Sequence, residues 1–181
     1  RCVSHLRECV EEMVRRINID SKEFLSRLDR LATAKSLEQL FELAQITYRA
    51  PTDVSESGLR DSSVDIFFSN LVMQHVPPSM ILKIHAEAWR ILKADGVCWH
   101  NIDYTDQYSH TYVGLSEINF LRYGKRTWDL LGQNDICWQS RLRDSQYRRL
   151  FGQAGFTVVG SVEHKSESIR NAIGNIHLAP E

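Results

Sequence analysis

The sequence predicts an α/β fold, a parallel β-sheet flanked by helices, from three observations. Two short apolar runs, Val64 to Ser69 and Val97 to Ile102, are nearly continuous rather than alternating, as in strands covered on both faces. Between them Ile81, Leu82, Ile84, Ala88, Trp89, Ile91 and Leu92 recur at helical steps and form a wide apolar stripe. Strand, helix and strand joined by short connections make a βαβ unit, whose strands run parallel with a right-handed crossover.

The elements follow in order. From Leu6 the apolar positions Val10, Met13, Val14 and Ile17 predict a first helix. Asp20 or Ser21 caps a second, with Phe24, Leu25, Leu28 and Leu31 as its stripe; Ser36, followed by Glu38 and Gln39, starts a third. Ile46 to Ala50 suits a short strand that stops at Pro51, which has no N–H to give a ladder. Residues 52–63 are a polar loop. Pro77-Pro78-Ser79 opens the central helix, and Ala94-Asp95-Gly96 is expected to end it. Residues 103–140 are irregular and aromatic-rich. Asp144 or Ser145 caps a helix that runs to Gly155, followed by strands at Phe156 to Val162 and Ile173 to Leu178. One domain over residues 1–181 accounts for this length, with no repeat or low-complexity linker to divide it.

Composition narrows the function classes. A net charge of -1 offers no broad field for nucleic acid or anionic lipid, and 43% hydrophobic residues supply a core. Neither nucleic acid nor membrane is expected as a partner, since the apolar runs fall far short of the ~20 residues that span a bilayer. A cytoplasmic location is the default expectation, with any targeting segment lying upstream of Arg1. The cysteines Cys2, Cys9, Cys98 and Cys137 contain no CxxC and read as free thiols. Cys2, His5 and Cys9 would share a helical face, but structural zinc wants four ligands, so no metal is expected there.

Several spaced segments agree, in order, with one family. Thr52-Asp53-Val54, then Asp61-Ser62-Ser63-Val64-Asp65-Ile66-Phe67-Phe68-Ser69-Asn70, then Arg90-Ile91-Leu92-Lys93-Ala94-Asp95-Gly96 resemble the central block of class I S-adenosylmethionine-dependent methyltransferases of the methyltransferase-11 type. Tyr147 to Phe156 resembles the helix and turn before that family's sixth strand, and His5-Leu6-Arg7 the segment just past its second. Asp95 stands where the family usually has a glycine. The resemblance covers almost the whole chain. It implies a Rossmann-like, mostly parallel sheet with helices on both faces, whose N-terminal strands lie upstream of Arg1. No GxGxG-like cofactor loop occurs in the 181 residues.

The resemblance also implies site residues. Asp53 would accept from the adenine amino group and the Val54 backbone N–H would meet a ring nitrogen; Ser69 and Asn70 would line the methionine part of S-adenosylmethionine, in a crevice at the carboxyl ends of the strands. Each has a plainer alternative: Asp53 as the cap of a helical turn, Ser69 and Asn70 as loop residues satisfying nearby backbone. Asp65 reads as holding a strand start through backbone N–H groups, and His75 as a core group or a residue of the crevice. Read from the residues themselves, His100-Asn101-Ile102-Asp103-Tyr104-Thr105-Asp106 and Ser109-His110 form a polar cluster beyond a strand end. There Asp103 and His110 are the candidate catalytic pair, because histidine takes a proton near neutral pH and a carboxylate can orient it. A metal site or a simple polar loop are the alternatives. Arg141 and Arg143 would clamp an anionic acceptor or make surface ion pairs. Phe120 to Trp128, aromatic and basic, reads as a packed lid.

The expected activity is methyl transfer from S-adenosylmethionine to a small or medium acceptor. Without the glycine loop the fragment alone is expected to be inactive, to bind cofactor poorly and to be unstable or self-associating. A non-catalytic methyltransferase-like interaction module is the alternative, and a dinucleotide-dependent oxidoreductase a more distant one.

Overall fold

The computed structural model describes residues 20–131, 138–164, 166–174 and 179. The chain divides into two compact units, residues 1–52 and 53–181. The helix expected over Leu6 to Ile17, with Cys2, His5 and Cys9, lies outside the described residues, as do positions 175–178 of the last expected strand.

In the first unit, Asp20 starts helix α1 (Ser21–Ala32) by accepting the Lys22 N–H at 2.7 Å, as an N-cap side chain does. Ser36 starts helix α2 (Leu37–Ala44), its hydroxyl accepting from the Gln39 N–H while the Gln39 carboxamide accepts from the Lys35 N–H. Gln45 closes α2 in the left-handed region at φ 57°. Residues 46–50 do not form the expected strand. Among the described residues no strand pairs with them, and Ile46 and Tyr48 are exposed.

The second unit contains the βαβ core. Strand β1 (Val64–Asn70) pairs in parallel with β2 (Leu92–Asn101), in the register Phe67 to Cys98, Ser69 to His100 and Asn70 to Asn101. Helix α3 (Pro78–Ile91) joins them, with proline inside its first turn, where the missing N–H costs nothing. Chain direction and pairing are those expected, but β2 begins five residues early. Ala94-Asp95-Gly96 is not a turn after the helix; it is extended strand carrying a register shift opposite Val64 and Ile66. Gly96 is needed there for close approach, since a Cβ would lie 2.9 Å from Leu92 Cδ2, 3.0 Å from the Lys93 carbonyl and 3.2 Å from the Asp65 carbonyl.

Strand alternation divides the sheet. Phe67, Ser69, Cys98 and His100 face inward and are half-buried, whereas Ile66, Phe68, Asn70, Val97, Trp99 and Asn101 are exposed. The continuous apolar runs led us to expect burial of both faces; the outer apolar side chains instead remain more than half exposed. The inner face packs on α3 and on helix α5 (Asp144–Gln153), with Met73, Ile81, Ile84 and Tyr147 at the centre of the core. A helix forms here as expected, but Asp144 is its first residue rather than its cap; Arg143 precedes it, its N–H donating to the Gln146 carboxamide. Gly155 turns the chain at φ 93° under the Trp89 ring.

Among the described residues, the strand expected at Phe156 to Val162 does not form, and the described start of the one expected at Ile173 to Leu178 is not extended. Phe156 packs edge-on against Trp89 and His85, but residues 157–162 find no ladder partner among the described residues, and Val159 and Val162 face solvent. Ile173 ends a short helix, α6 (Glu167–Ile173), rather than opening a strand. The irregular stretch contains 3-10 turns at Gln107–His110 and Asn119–Arg122 and the short helix α4 (Lys125–Leu131).

The motif Arg90 explains part of the sequence agreement in physical terms. Its guanidinium donates to both Glu87 carboxylate oxygens, to Asp61 and to the Leu59 carbonyl. Glu87 in turn accepts from the Ser57 N–H at 3.0 Å and hydroxyl at 2.6 Å. The bonds from Arg90, then those from Ser57, hold the Glu87 carboxyl down at about 2. This clamp ties the loop before β1 to the end of α3. Asp65 pairs with Lys93 at 2.6 Å instead of capping backbone N–H groups.

Candidate functional site

The carboxyl ends of β1 and β2 carry the candidate site. Asn70 and Asn101 are register partners, and the Asn101 amide donates to Asn70 Oδ1 at 2.9 Å. Leu71, at φ 55°, turns the chain away while donating to the Asn101 carbonyl. Ser69, one residue earlier, points to the opposite face, where its hydroxyl lies 2.7 Å from His100 Nδ1. The side chains of Ser69 and Asn70 therefore serve different faces of the sheet.

Asp53 is exposed and caps the 3-10 turn Val54–Glu56, Oδ1 accepting both the Ser55 N–H and the Ser55 hydroxyl at 2.8 Å. These bonds keep its carboxyl below the usual value. Because both use Oδ1, Oδ2 keeps its acceptor capacity. Val54, the first residue of that turn, has no intrahelical partner for its N–H. The capping alternative is thus realised in a form that leaves the other oxygen for a ligand.

Asp103 and His110 come together. Asp103 Oδ1 accepts the Thr105 N–H at 2.8 Å and hydroxyl at 2.7 Å, and Oδ2 accepts the Gln107 amide at 3.1 Å. His110 Nε2 stands 3.0 Å from Thr105 Oγ1 and 3.3 Å from Asp103 Oδ2. Thr105 has one hydroxyl hydrogen, and it is committed to Asp103. His110 Nε2 is therefore the donor to Thr105, and the other ring nitrogen, Nδ1, carries the basic lone pair. Burial pushes the Asp103 carboxyl up, but the bonds from Thr105 and Gln107 and the His110 imidazole outweigh it, leaving the carboxyl below its usual value. The His110 side chain is 55% exposed and Asp103 22%, so the imidazole is accessible and the carboxylate shielded.

The loop is braced from behind by Gln139, for which the sequence suggested no role, and by Arg143, in a role other than those expected of it. The Gln139 amide donates to the Thr105 carbonyl at 2.8 Å and Arg143 Nη1 to the Tyr104 carbonyl at 2.6 Å. The Arg143 guanidinium lies between the Tyr104 and Phe120 rings, 5.6 and 4.8 Å from their centroids. Burial pulls its pKa to about 10. It is neither an anion clamp nor a surface ion pair. Asp106, fully buried, caps the turn that carries His110, and exposed His75 donates to the Trp138 carbonyl.

Beside this loop lies an open cleft of about 530 Å3, lined chiefly by Tyr108, Tyr112, Leu115, Asn119, Tyr123 and Trp128. Tyr108 and Tyr112 flank His110 in sequence. The Trp128 indole N–H is buried without a hydrogen-bond partner among the described residues.

A parallel βαβ unit with polar groups gathered at its strand ends makes this an α/β protein. A family model described as "Methyltransferase domain" matches residues 4–100, more than half of the chain, and the chain belongs to that family, as a class I S-adenosylmethionine-dependent methyltransferase-like domain. The match includes Asp53, Val54, Ser69 and Asn70 and ends before Asp103, His110 and the aromatic cleft. No curated protein and no solved structure matches the chain significantly. Among the described residues no helix is long and apolar enough to cross a membrane.

Proposed function

We propose that this domain transfers a methyl group from S-adenosylmethionine to a small or medium acceptor that must lose a proton as it reacts. The observation carrying this reading is the Asp103–Thr105–His110 constellation just beyond β2, which leaves a histidine nitrogen basic and accessible. The family match, running through both compact units, supports one Rossmann-like methyltransferase domain.

The family resemblance assigns the adenosyl group to Asp53, Val54, Ser69 and Asn70, and the chemistry of their polar groups supports the assignment. Asp53 Oδ2 is an acceptor for an exocyclic amine, the Val54 N–H a donor for a ring nitrogen, and the Asn70 amide N–H groups are donors at the strand end. Ser69, its hydroxyl turned to His100, contributes through its backbone. When bound, S-adenosylmethionine supplies an electrophilic methyl on a sulfonium leaving group. The protein's tasks are then alignment and proton removal. The aromatic cleft holds a planar or apolar acceptor, within the usual 300–1,000 Å3 range of ligand sites. His110 Nδ1 takes the acceptor's proton, while Asp103 and Thr105 hold the ring in the productive tautomer and stabilise the imidazolium, as carboxylates do beside catalytic histidines. Residues 1–181, containing no glycine-rich loop, hold the cofactor weakly on their own.

The test is transfer of isotopically labelled methyl to a panel of phenols, aromatic amines and carboxylic acids. The reading expects turnover of at least one O–H or N–H acceptor, lowered about 10²–10⁴-fold in H110Q, the range for loss of a general base. Turnover unaffected by H110Q would reject the role of the histidine.

A further inference from the structure

Beneath the candidate site lies a second cluster that the transfer reaction does not use. On the inner face of β2, Cys98 and His100 stand two residues apart, and α3 lays the fully buried His85 over them. His100 Nε2 is 2.9 Å from His85 Nε2 and 3.1 Å from Cys98 Sγ, and the three potential ligand atoms all lie within 4.8 Å of one another. We propose that His85 Nε2, His100 Nε2 and Cys98 Sγ form a binding site for a zinc-type divalent cation.

Ligand type and geometry fit that metal. Two imidazoles and a thiolate are a borderline-soft set of the kind zinc takes, and three protein ligands leave a fourth position for water. Tetrahedral coordination at ordinary zinc bond lengths separates two nitrogens by about 3.3 Å and nitrogen from sulfur by about 3.6 Å. His100 Nε2 therefore needs to part from His85 Nε2 and from Cys98 Sγ by roughly half an ångström each.

The surroundings are those of metal ligands. A ligating histidine usually has its second nitrogen hydrogen-bonded, which fixes ring orientation. Both rings meet this condition, His85 Nδ1 lying 2.7 Å from the Ile81 carbonyl and His100 Nδ1 2.7 Å from the Ser69 hydroxyl. Phe67, Phe151 and Phe156 pack around the imidazoles. The ligands sit on a helix and a strand, which hold geometry better than loops.

Metal-free, the cluster is a directional chain. The Ile81 carbonyl makes His85 Nδ1 the donor, so His85 Nε2 accepts from His100 Nε2–H, and His100 Nδ1 accepts from Ser69. On metal binding Cys98 gives its thiol proton to solvent and ligates as thiolate. The single ring proton of His100 moves from Nε2 to Nδ1 and is donated to Ser69 Oγ, whose own hydrogen rotates away. One proton leaves per cation bound. The ion then cross-links α3 to β2, directly below Ser69 and the strand ends.

Cobalt(II) chloride, titrated into the tag-free, chelator-stripped chain and followed by absorption, tests this. The proposal expects one equivalent bound, with visible ligand-field bands and a near-ultraviolet thiolate-to-cobalt band. C98S abolishes the thiolate band, H85Q and H100Q weaken binding about 100-fold or more, S69A weakens it about 10-fold, and C2S/C9S leaves the spectrum unchanged. Absence of the thiolate band in the wild-type chain, or its survival in C98S, overturns the proposal. If H85Q is unfolded by circular dichroism, C98S, which exchanges one sulfur for oxygen, decides alone.

Discussion

Tyr147 offers a direct measure of how the helix after the aromatic region is fastened beneath the candidate site. The residue is 1% exposed, packs in the core with Met73, Ile81 and Ile84, and donates its hydroxyl to the Met73 carbonyl at 3.1 Å. Tyr147→Phe removes that bond, together with the one between the hydroxyl and the Ser140 side chain, and keeps the ring. A net hydrogen bond contributes about 1 kcal/mol, and a carbonyl left buried without a partner raises the loss toward about 3 kcal/mol. Here the Met73 carbonyl also accepts from the Val76 N–H, so it is not orphaned. With two hydrogen bonds lost and no carbonyl orphaned, the expected cost is about 1–3 kcal/mol. Tyr147→Ala additionally deletes a ring that touches Tyr104 and Phe151, and is expected to cost about 3–5 kcal/mol in total. Equilibrium urea unfolding reads both values from the shift in midpoint at constant m. If Tyr147→Phe falls within about 0.5 kcal/mol of wild type, the hydroxyl is not fastening the turn. If the two variants are equally destabilised, the ring is not packed as described.

Glu87, its carboxyl held near 2 by Arg90 and Ser57 against an ordinary 4.5, contributes stability that is complete above pH ~4.5 and lost as pH falls toward ~2. The difference in Tm between wild type and E87Q, measured across that window, is accordingly expected to shrink with acid; a constant difference would refute the clamp. Gly96→Ala forces a Cβ against two backbone carbonyls and is expected to destabilise by about 1–3 kcal/mol in urea. Gly152→Ala, in open space within α5, should gain up to about 1 kcal/mol, and equal effects at the two sites would remove the argument for close approach. D103N keeps its shape but gives up charge beside His110; methyl transfer should fall about as far as in H110Q, and the double variant little further, because the pair acts as a unit.

The legible parts of the fold were those decided locally. Asp20 and Ser36 cap their helices as their side-chain chemistry requires, and the βαβ order follows from the 64–70 and 92–101 runs with the amphipathic helix between them. Strands at 46–50 and 156–162 were expected from β-branched and aromatic content, but a strand exists only through a distant partner, which composition does not encode. The start of β2 was hidden because Ala94-Asp95-Gly96 carries the residues of a turn; only the pairing of Leu92 with Val64 and the Lys93–Asp65 ion pair show that the chain is already extended there. At the site, Asp103 and His110 could be matched in sequence because both lie in one loop. The buried cluster could not, since His85 arrives from the crossover helix; the alternation of Cys98 and His100 on one strand face was its only local trace. Arg143 was misread because a cation between two aromatic rings is invisible until the rings are placed.

Calorimetric titration of S-adenosylhomocysteine into the protein in its longest natural form, beside D53A and N70A, tests the central claim most directly. Wild-type binding that weakens at least about tenfold in each variant (roughly 1.4 kcal/mol) is the expected result. No heat from the wild-type protein, or identical affinities in all three, would contradict an adenosyl pocket built from Asp53 and Asn70.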